Sequence, residues 1–162
     1  MSAAGIPCMY AADDVDTALA ETWNGEEALA SCATFETLSD LLLVDLTEAP
    51  PCPSILARGT TCERGESDFL LGLIIDISKS IEKDDRIHTE YVPTQVVAEY
   101  VRHKLKLKGR SVDGIVYSSS KGRGDNCVFF VDTRSIEGSG AYFRKEAKFR
   151  LVDVERRRLQ PS

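Results

Sequence analysis

Between residues 48 and 54 the chain reads EAPPCPS, and Pro50, Pro51 and Pro53 together forbid any regular element from crossing that stretch. Each proline fixes its φ angle and removes a backbone donor, so neither a helix interior nor a central strand tolerates such a cluster. A loop is therefore predicted from Glu48 to about Gly65. It divides the chain into two segments with different patterns. In the first, Ile6–Ala12 reads as a short buried strand, and Asp13, Asp14 and Asp16 supply the N-cap and first-turn carboxylates of a helix carrying Thr17–Trp23. Val15, Ala18, Leu19 and Thr22 form its apolar face, with Glu21 toward the edge of that face. Leu29–Thr37 alternates small, apolar and polar residues and Leu41–Leu46 is a compact apolar run, so both suit strands.

Beyond the prolines, Ser67–Ile81 is apolar at near-helical spacing through Phe69, Leu70, Leu73, Ile74 and Ile77 and predicts a buried helix. A hydrophilic EKDDR turn follows. Pro93 then opens an amphipathic helix with a core stripe of Val96, Val97, Tyr100, Val101 and Leu105. The last third is strand-rich: Gly114–Tyr117, the loop SSSKGRGDN, Cys127–Asp132 and a final run from Tyr142 to Val154. Helices inserted among strands, rather than alternating strictly with them, predict an α+β (mixed α/β) fold. The length of 162 residues fits a single compact domain, with residues 155–162 as a basic tail.

A composition of 43% hydrophobic and 28% charged residues is that of a globular protein. The net charge of -6 argues against a nucleic-acid partner, which requires a concentrated basic surface. Two short basic clusters, Arg102–Arg110 and Arg156–Arg158, read as solvated faces or tails. Cys8, Cys32, Cys52, Cys62 and Cys127 are odd in number and contain no C-x-x-C pair, so neither a metal site nor a disulfide framework is expected. His88 and His103 lack any motif context. The N-terminal residues lack the basic and apolar regions of a secretory signal, and the longest apolar runs fall short of a membrane span. A cytoplasmic protein without a membrane partner is the expectation.

Three blocks carry chemistry. GIPCMYAADDVDTALAE places Tyr10 on an apolar strand and Glu21 on the following helix; EYVPTQ contains Tyr91, Pro93, Thr94 and Gln95 at a helix start; DGIVYSSSKGRGDN contains Asp113, Gly114, Tyr117, Ser119, Ser120 and Asn126. From the residues alone, Tyr10 could pack in a core, the serines could form a polar turn, and Thr94 could cap a helix. Lys121, Gly122, Arg123 and Gly124 could form a phosphate cradle, although the order of a P-loop is missing.

Taken in order, the three blocks resemble the RES domain family, named for an arginine, a glutamate and a serine, whose members look like NAD-consuming relatives of ADP-ribosylating toxins. The resemblance implies an ADP-ribosyltransferase-like fold and NAD as substrate, with no metal. It gives Glu21 as the carboxylate, with Ser119 as the family serine and Ser120 second. It places Tyr10, Tyr91, Gln95, Tyr117 and Asn126 around the dinucleotide. The implied activity is cleavage of the nicotinamide–ribose bond, as an NAD glycohydrolase or phosphorylase or as an ADP-ribosyltransferase. The implied setting is a toxin–antitoxin pair with a cognate antitoxin as partner. The family arginine lies upstream of the G-I-P-x-x-Y segment, so the chain is expected to be N-terminally incomplete relative to the family, with Arg58 or Arg123 as substitutes. The alternatives are a catalytically impaired RES-fold protein that binds a nucleotide or partner, and a fragment of a longer RES protein. No motif encodes the oligomeric state.

Overall fold

The computed structural model describes residues 7–48, 61–78, 92–131, 135–137 and 147–161. In chain order they form β1 (Met9–Ala12), α1 (Val15–Thr22), β2 (Ala28–Thr37), β3 (Leu43–Asp45), α2 (Thr61–Ser78) and α3 (Val92–His103). There follow β4 (Lys106–Leu107), β5 (Arg110–Ser111), β6 (Gly114–Ser118), β7 (Asp125–Phe129), β8 (Ile136–Glu137) and β9 (Phe149–Leu159). This is the expected α+β architecture.

The central sheet has the order β1-β7-β6-β3, with β7 antiparallel to both neighbours and β3 parallel to β6. Because side chains alternate across a strand, its two faces are separately legible. One face carries Ile115 and Val128, each 1% exposed, and packs against Ile77 of α2 and Ala98 and Val101 of α3. The other carries Met9, Ala11, Cys127 and Phe129, which meet Phe35 and Phe149 of a second sheet with the order β2-β9-β8. The Phe129 and Phe149 rings lie 4.8 Å apart at a tilt of 59°. Full burial of each such side chain stabilises the fold by about 1.5–3 kcal/mol. A β4–β5 hairpin completes the described strands.

Several sequence expectations shift. Helix α2 begins at Thr61, inside the predicted loop, because one glycine at position 65 costs a helix only about 1 kcal/mol. Val96 and Tyr100, placed in the core stripe of α3, are 62% and 58% exposed; the buried positions are Thr94, Ala98 and Val101, a stripe of slightly different phase. Thr94 is the third residue of α3 rather than its cap. The final strand starts at Phe149, and residues 142–146 lie outside the described region. The basic stretch Arg156–Arg158 is not a tail: it pairs with Ser31, Ala30 and Leu29 of β2 as the end of β9. Arg157 also bonds Asp16 at 3.1 Å and Glu155 at 2.8 Å.

Asp113, at the entry to β6, ties three segments together. Its carboxylate accepts the Leu42 amide at 2.9 Å and the Lys148 ammonium at 2.5 Å, while its backbone carbonyl accepts the Phe130 amide at 2.8 Å. Partial burial pushes the carboxyl upward, but the Leu42 amide and the Lys148 charge outweigh it and hold the group below its ordinary value of 3.8. A depressed carboxyl contributes stability that is fully present above its unfolded value and is lost as pH falls through the native one. Asp113→Ala is expected to cost about 2–4 kcal/mol in urea unfolding at neutral pH. The gap from wild type should narrow as pH is lowered below 3.8, whereas a gap constant with pH would show that the carboxylate's charge contributes nothing.

Candidate functional site

Helix α1 starts one turn after β1 ends. Asp14 is its N-cap, accepting the Thr17 amide at 2.8 Å and the Thr17 hydroxyl at 2.6 Å, and those bonds hold its carboxyl below the ordinary value. Thr17, only 2% exposed, uses its hydroxyl a second time to accept the Gly124 amide at 3.1 Å. Asp13 binds the neighbouring residue, its carboxylate accepting and its amide donating to the backbone of Asp125 at 3.1 and 3.0 Å. The loop between β6 and β7 is thus fastened to the first turn of α1. Its glycines allow the approach: a Cβ on Gly122 would come within 2.6–2.8 Å of three Thr17 atoms, and one on Gly124 would collide with Asp13 and Asp14.

Glu21 lies one turn beyond Thr17, on the same side of α1. Its Oε1 accepts the Ser119 hydroxyl at 2.6 Å and the Asn126 side-chain amide at 2.7 Å, closing contacts across 98 and 105 residues of sequence. Among the described residues these are the hydrogen-bond partners of Glu21, and Oε2 accepts none. Ser119 Oγ in turn accepts the amides of Gly122 at 2.8 Å and Lys121 at 3.2 Å. A hydroxyl has two acceptor sites and one proton. With both acceptor sites occupied by amides, Ser119 donates its proton to Glu21.

Asn126, 5% exposed, comes from the middle strand β7, opposite Ala12 of β1 and Tyr117 of β6. Tyr10 is two residues from Ala12 and shares the same sheet face, next to Val128. The core reading of Tyr10 fails, since the ring is 52% exposed. Tyr117 is half-buried against the core beneath the site. Gln95 is half-buried on α3, at no hydrogen-bond distance from Glu21. Ser120 is exposed in the loop and does not reach Glu21, so of the two serines the geometry selects Ser119. Tyr91 and Arg58 lie outside the described residues.

Of the four amides in the phosphate cradle expected at Lys121–Gly124, those of Lys121, Gly122 and Gly124 are committed inside the protein. The amides of Ser119, Lys121, Gly122 and Gly124 are all consumed inside the protein, by Gly124 O, Ser119 Oγ twice, and Thr17 Oγ1. Thr17, which holds this arrangement, was not singled out by the sequence. Its signal was available in retrospect as an Asp-x-x-Thr cap facing a glycine-rich loop. No three His, Cys, Asp or Glu side chains gather at metal-binding distance among the described residues, and no described helix is long and apolar enough to cross a membrane.

A family model described as RES domain matches residues 1–151. Comparison with curated proteins and with solved structures gave no match.

Gly122→Ala is expected to cost about 1–3 kcal/mol through overpacking against Thr17. Thr17→Ala removes two of the three clashing atoms, so the double variant should lose less stability than the sum of the singles. Additive losses in a thermal or urea double-mutant cycle would show that loop and helix are not in contact.

Proposed function

The chain belongs to the RES domain family, and on that premise we propose that it cleaves the nicotinamide–ribose bond of NAD and passes ADP-ribose to water, phosphate or a protein. The observation that carries the reading is the state of Glu21. One carboxylate oxygen is fixed by Ser119 and Asn126, and the other accepts no hydrogen bond from the described residues.

Breaking the C1′–N1 bond sends its electron pair to the nicotinamide ring, which leaves neutral and needs no acid. Positive charge develops on the ribose, and a carboxylate held in one rotamer stabilises it without reorganising at the moment of reaction. Ser119 and Asn126 supply that fixed rotamer, and the two amides on Ser119 Oγ fix the serine itself. Tyr10, an exposed aromatic on the same sheet face, suits stacking against a flat heterocycle, a contact of about 0.5–1.5 kcal/mol. NAD depletion in a toxin–antitoxin setting, with an antitoxin protein as partner, is the cellular role that accompanies this chemistry.

The test is release of nicotinamide from NAD by the purified protein, followed chromatographically. Glu21→Gln is expected to lower kcat by about 10²–10³-fold, the scale of losing one preorganised electrostatic group. Ser119→Ala should lower kcat by roughly tenfold or more while leaving KM little changed, because it acts through the carboxylate. Equal, negligible release by the wild type and both variants would overturn the turnover reading.

A further inference from the structure

The described strands end in edges of very unequal length. In the central sheet the edge strands β1 and β3 have four and three residues, and in the second sheet β8 has two. β2 has ten, all paired to β9 on one side, and its other edge is unpaired among the described residues. A free edge is a row of main-chain donors and acceptors that another strand can complete, so folded proteins keep such edges short or set charges and prolines along them. β1, β3 and β8 are short. The far edge of β9 is charged: Leu151–Leu159 reads LVDVERRRL, and β8 pairs there only with Phe149 and Arg150. β2 has neither protection. From Ala28 to Phe35 it reads ALASCATF, without a charge or a proline.

The same segment has the pattern of a surface that can meet itself. A two-fold interface sets one patch against its own copy, so its residues must suit one another in reverse order. About Cys32 the order is symmetric in size: Ser31 and Ala33 flank it, Ala30 and Thr34 come next, and Leu29 and Phe35 stand at the two ends. Leu29 is 68% exposed, and Ser31 and Ala33 are exposed as well. Because side chains alternate across a strand, two identical antiparallel strands around a two-fold axis must set one residue opposite its own copy. An axis at Cys32 sets Leu29 opposite Phe35 of the second copy, twice by symmetry, whereas an axis at Ser31 or Ala33 sets it opposite Ala33 or Thr37. The first register joins apolar to apolar.

Like charges placed directly opposite one another oppose strand pairing, which matters in a chain of net charge -6. Along this edge there are none before Glu36, and Glu155, Arg156, Arg157 and Arg158 stand one strand away on β9. The interruption in the ladder also falls on β9: Thr34 pairs with Asp153 and Phe35 with Leu151, so Val152 is the extra residue and β2 runs on unbroken.

We propose that the free edge of β2 is the interface for a second copy of this chain, the two β2 strands pairing antiparallel about a two-fold axis at Cys32. The pairing joins two three-stranded sheets into one of order β8-β9-β2-β2-β9-β8, and because each β2 edge meets its own copy the assembly closes at two chains. It does not depend on the chemistry at Glu21.

The measurement is sedimentation of the full chain under reducing conditions over a range of concentrations, where the wild type is expected to be a dimer. Ser31 stands opposite Ala33 of the second copy and diagonally across from its own copy, so Ser31→Lys is expected to weaken the dimer about tenfold or more. Adding Ala33→Asp to Ser31→Lys sets opposite charges across the strand pair. That double variant is expected to regain the dimer, which a folding defect would not allow. Cys32 carries a free thiol. Opposed residues of an antiparallel pair have Cα atoms about 4.5 or 5.5 Å apart, both within reach of a disulfide. Diamide, which takes up the two thiol hydrogens, is therefore expected to join two wild-type chains through Cys32, and Cys32→Ser to abolish that link while keeping the dimer. A wild type that is monomeric at about 0.1 mM overturns the proposal, as does open-ended assembly. A dimer that Ser31→Lys leaves intact, that the double variant does not regain, or that gives no link through Cys32 overturns it as well.

Discussion

Thr17 and Glu21 stand one turn apart on α1, and between them they hold both ends of the same loop. Thr17 accepts the amide of Gly124 at the loop's exit, and Glu21 accepts the hydroxyl of Ser119 at its entrance. Neither contact works without the other. If α1 rotated to improve one bond, the fixed 3.6-residue turn would carry the other residue off its partner. The glycines at 122 and 124 are what allow this two-point contact, because any side chain there would occupy the space of Thr17 or of the capping carboxylates. The helix cap, the loop and the Glu21 carboxylate are thus one mechanical unit, and Asp14, which caps α1 and bonds the Thr17 hydroxyl, belongs to it as well.

The central sheet supplies the third point. Asn126 lies on the face that a few residues further along is closed by Ile115 and Val128, and a buried amide on such a face requires a partner. Glu21 is that partner. The row Ala12, Asn126 and Tyr117 runs across β1, β7 and β6 at the edge where hydrophobic packing gives way to polar contacts. Asp113 sits at the opposite end of β6 and secures it to the Leu42 backbone and Lys148. The strand that delivers Ser119 is therefore anchored at its beginning by an ion pair and at its end by the loop on α1. This distribution explains how a five-residue strand can position a hydroxyl precisely enough to bond a carboxylate from a distant helix.

The sequence made part of this legible and concealed the rest for identifiable reasons. Glu21, Ser119 and Asn126 were picked out by the order of the motif blocks, which survives any amount of intervening chain; spacing alone could not have joined residues about a hundred positions apart. The mixed fold followed from helices inserted among strands rather than alternating strictly with them. Thr17 was hidden because a threonine in the first turn of a helix looks like an ordinary polar residue, and its role exists only once the glycine loop lies on it. In the stripe of α3, Val97, Val101 and Leu105 do face the core, whereas Val96 and Tyr100 point out and Ala98 was overlooked, because periodicity fixes a face only to within about one residue's rotation. Arg156–Arg158 resembled a tail because three consecutive charges suggest solvation. On an extended strand that pattern is satisfied by alternation, which leaves Arg156 and Arg158 exposed while Arg157 reaches Asp16.

The hydrogen-bond count on Ser119 also constrains the chemistry of the whole reading. A serine that accepts two amides and donates to a carboxylate is held in one orientation by three contacts, with its hydroxyl directed at Glu21. Of those three contacts the one to Glu21 ties the loop to α1, and the other two order the loop itself. In the proposed reaction the acceptor of the ribosyl group is water, phosphate or a protein side chain, and Glu21 Oε2 is the carboxylate oxygen that accepts no hydrogen bond from the described residues. Selectivity among those acceptors then depends on what surrounds that oxygen, and the serine contributes by keeping the carboxylate in place.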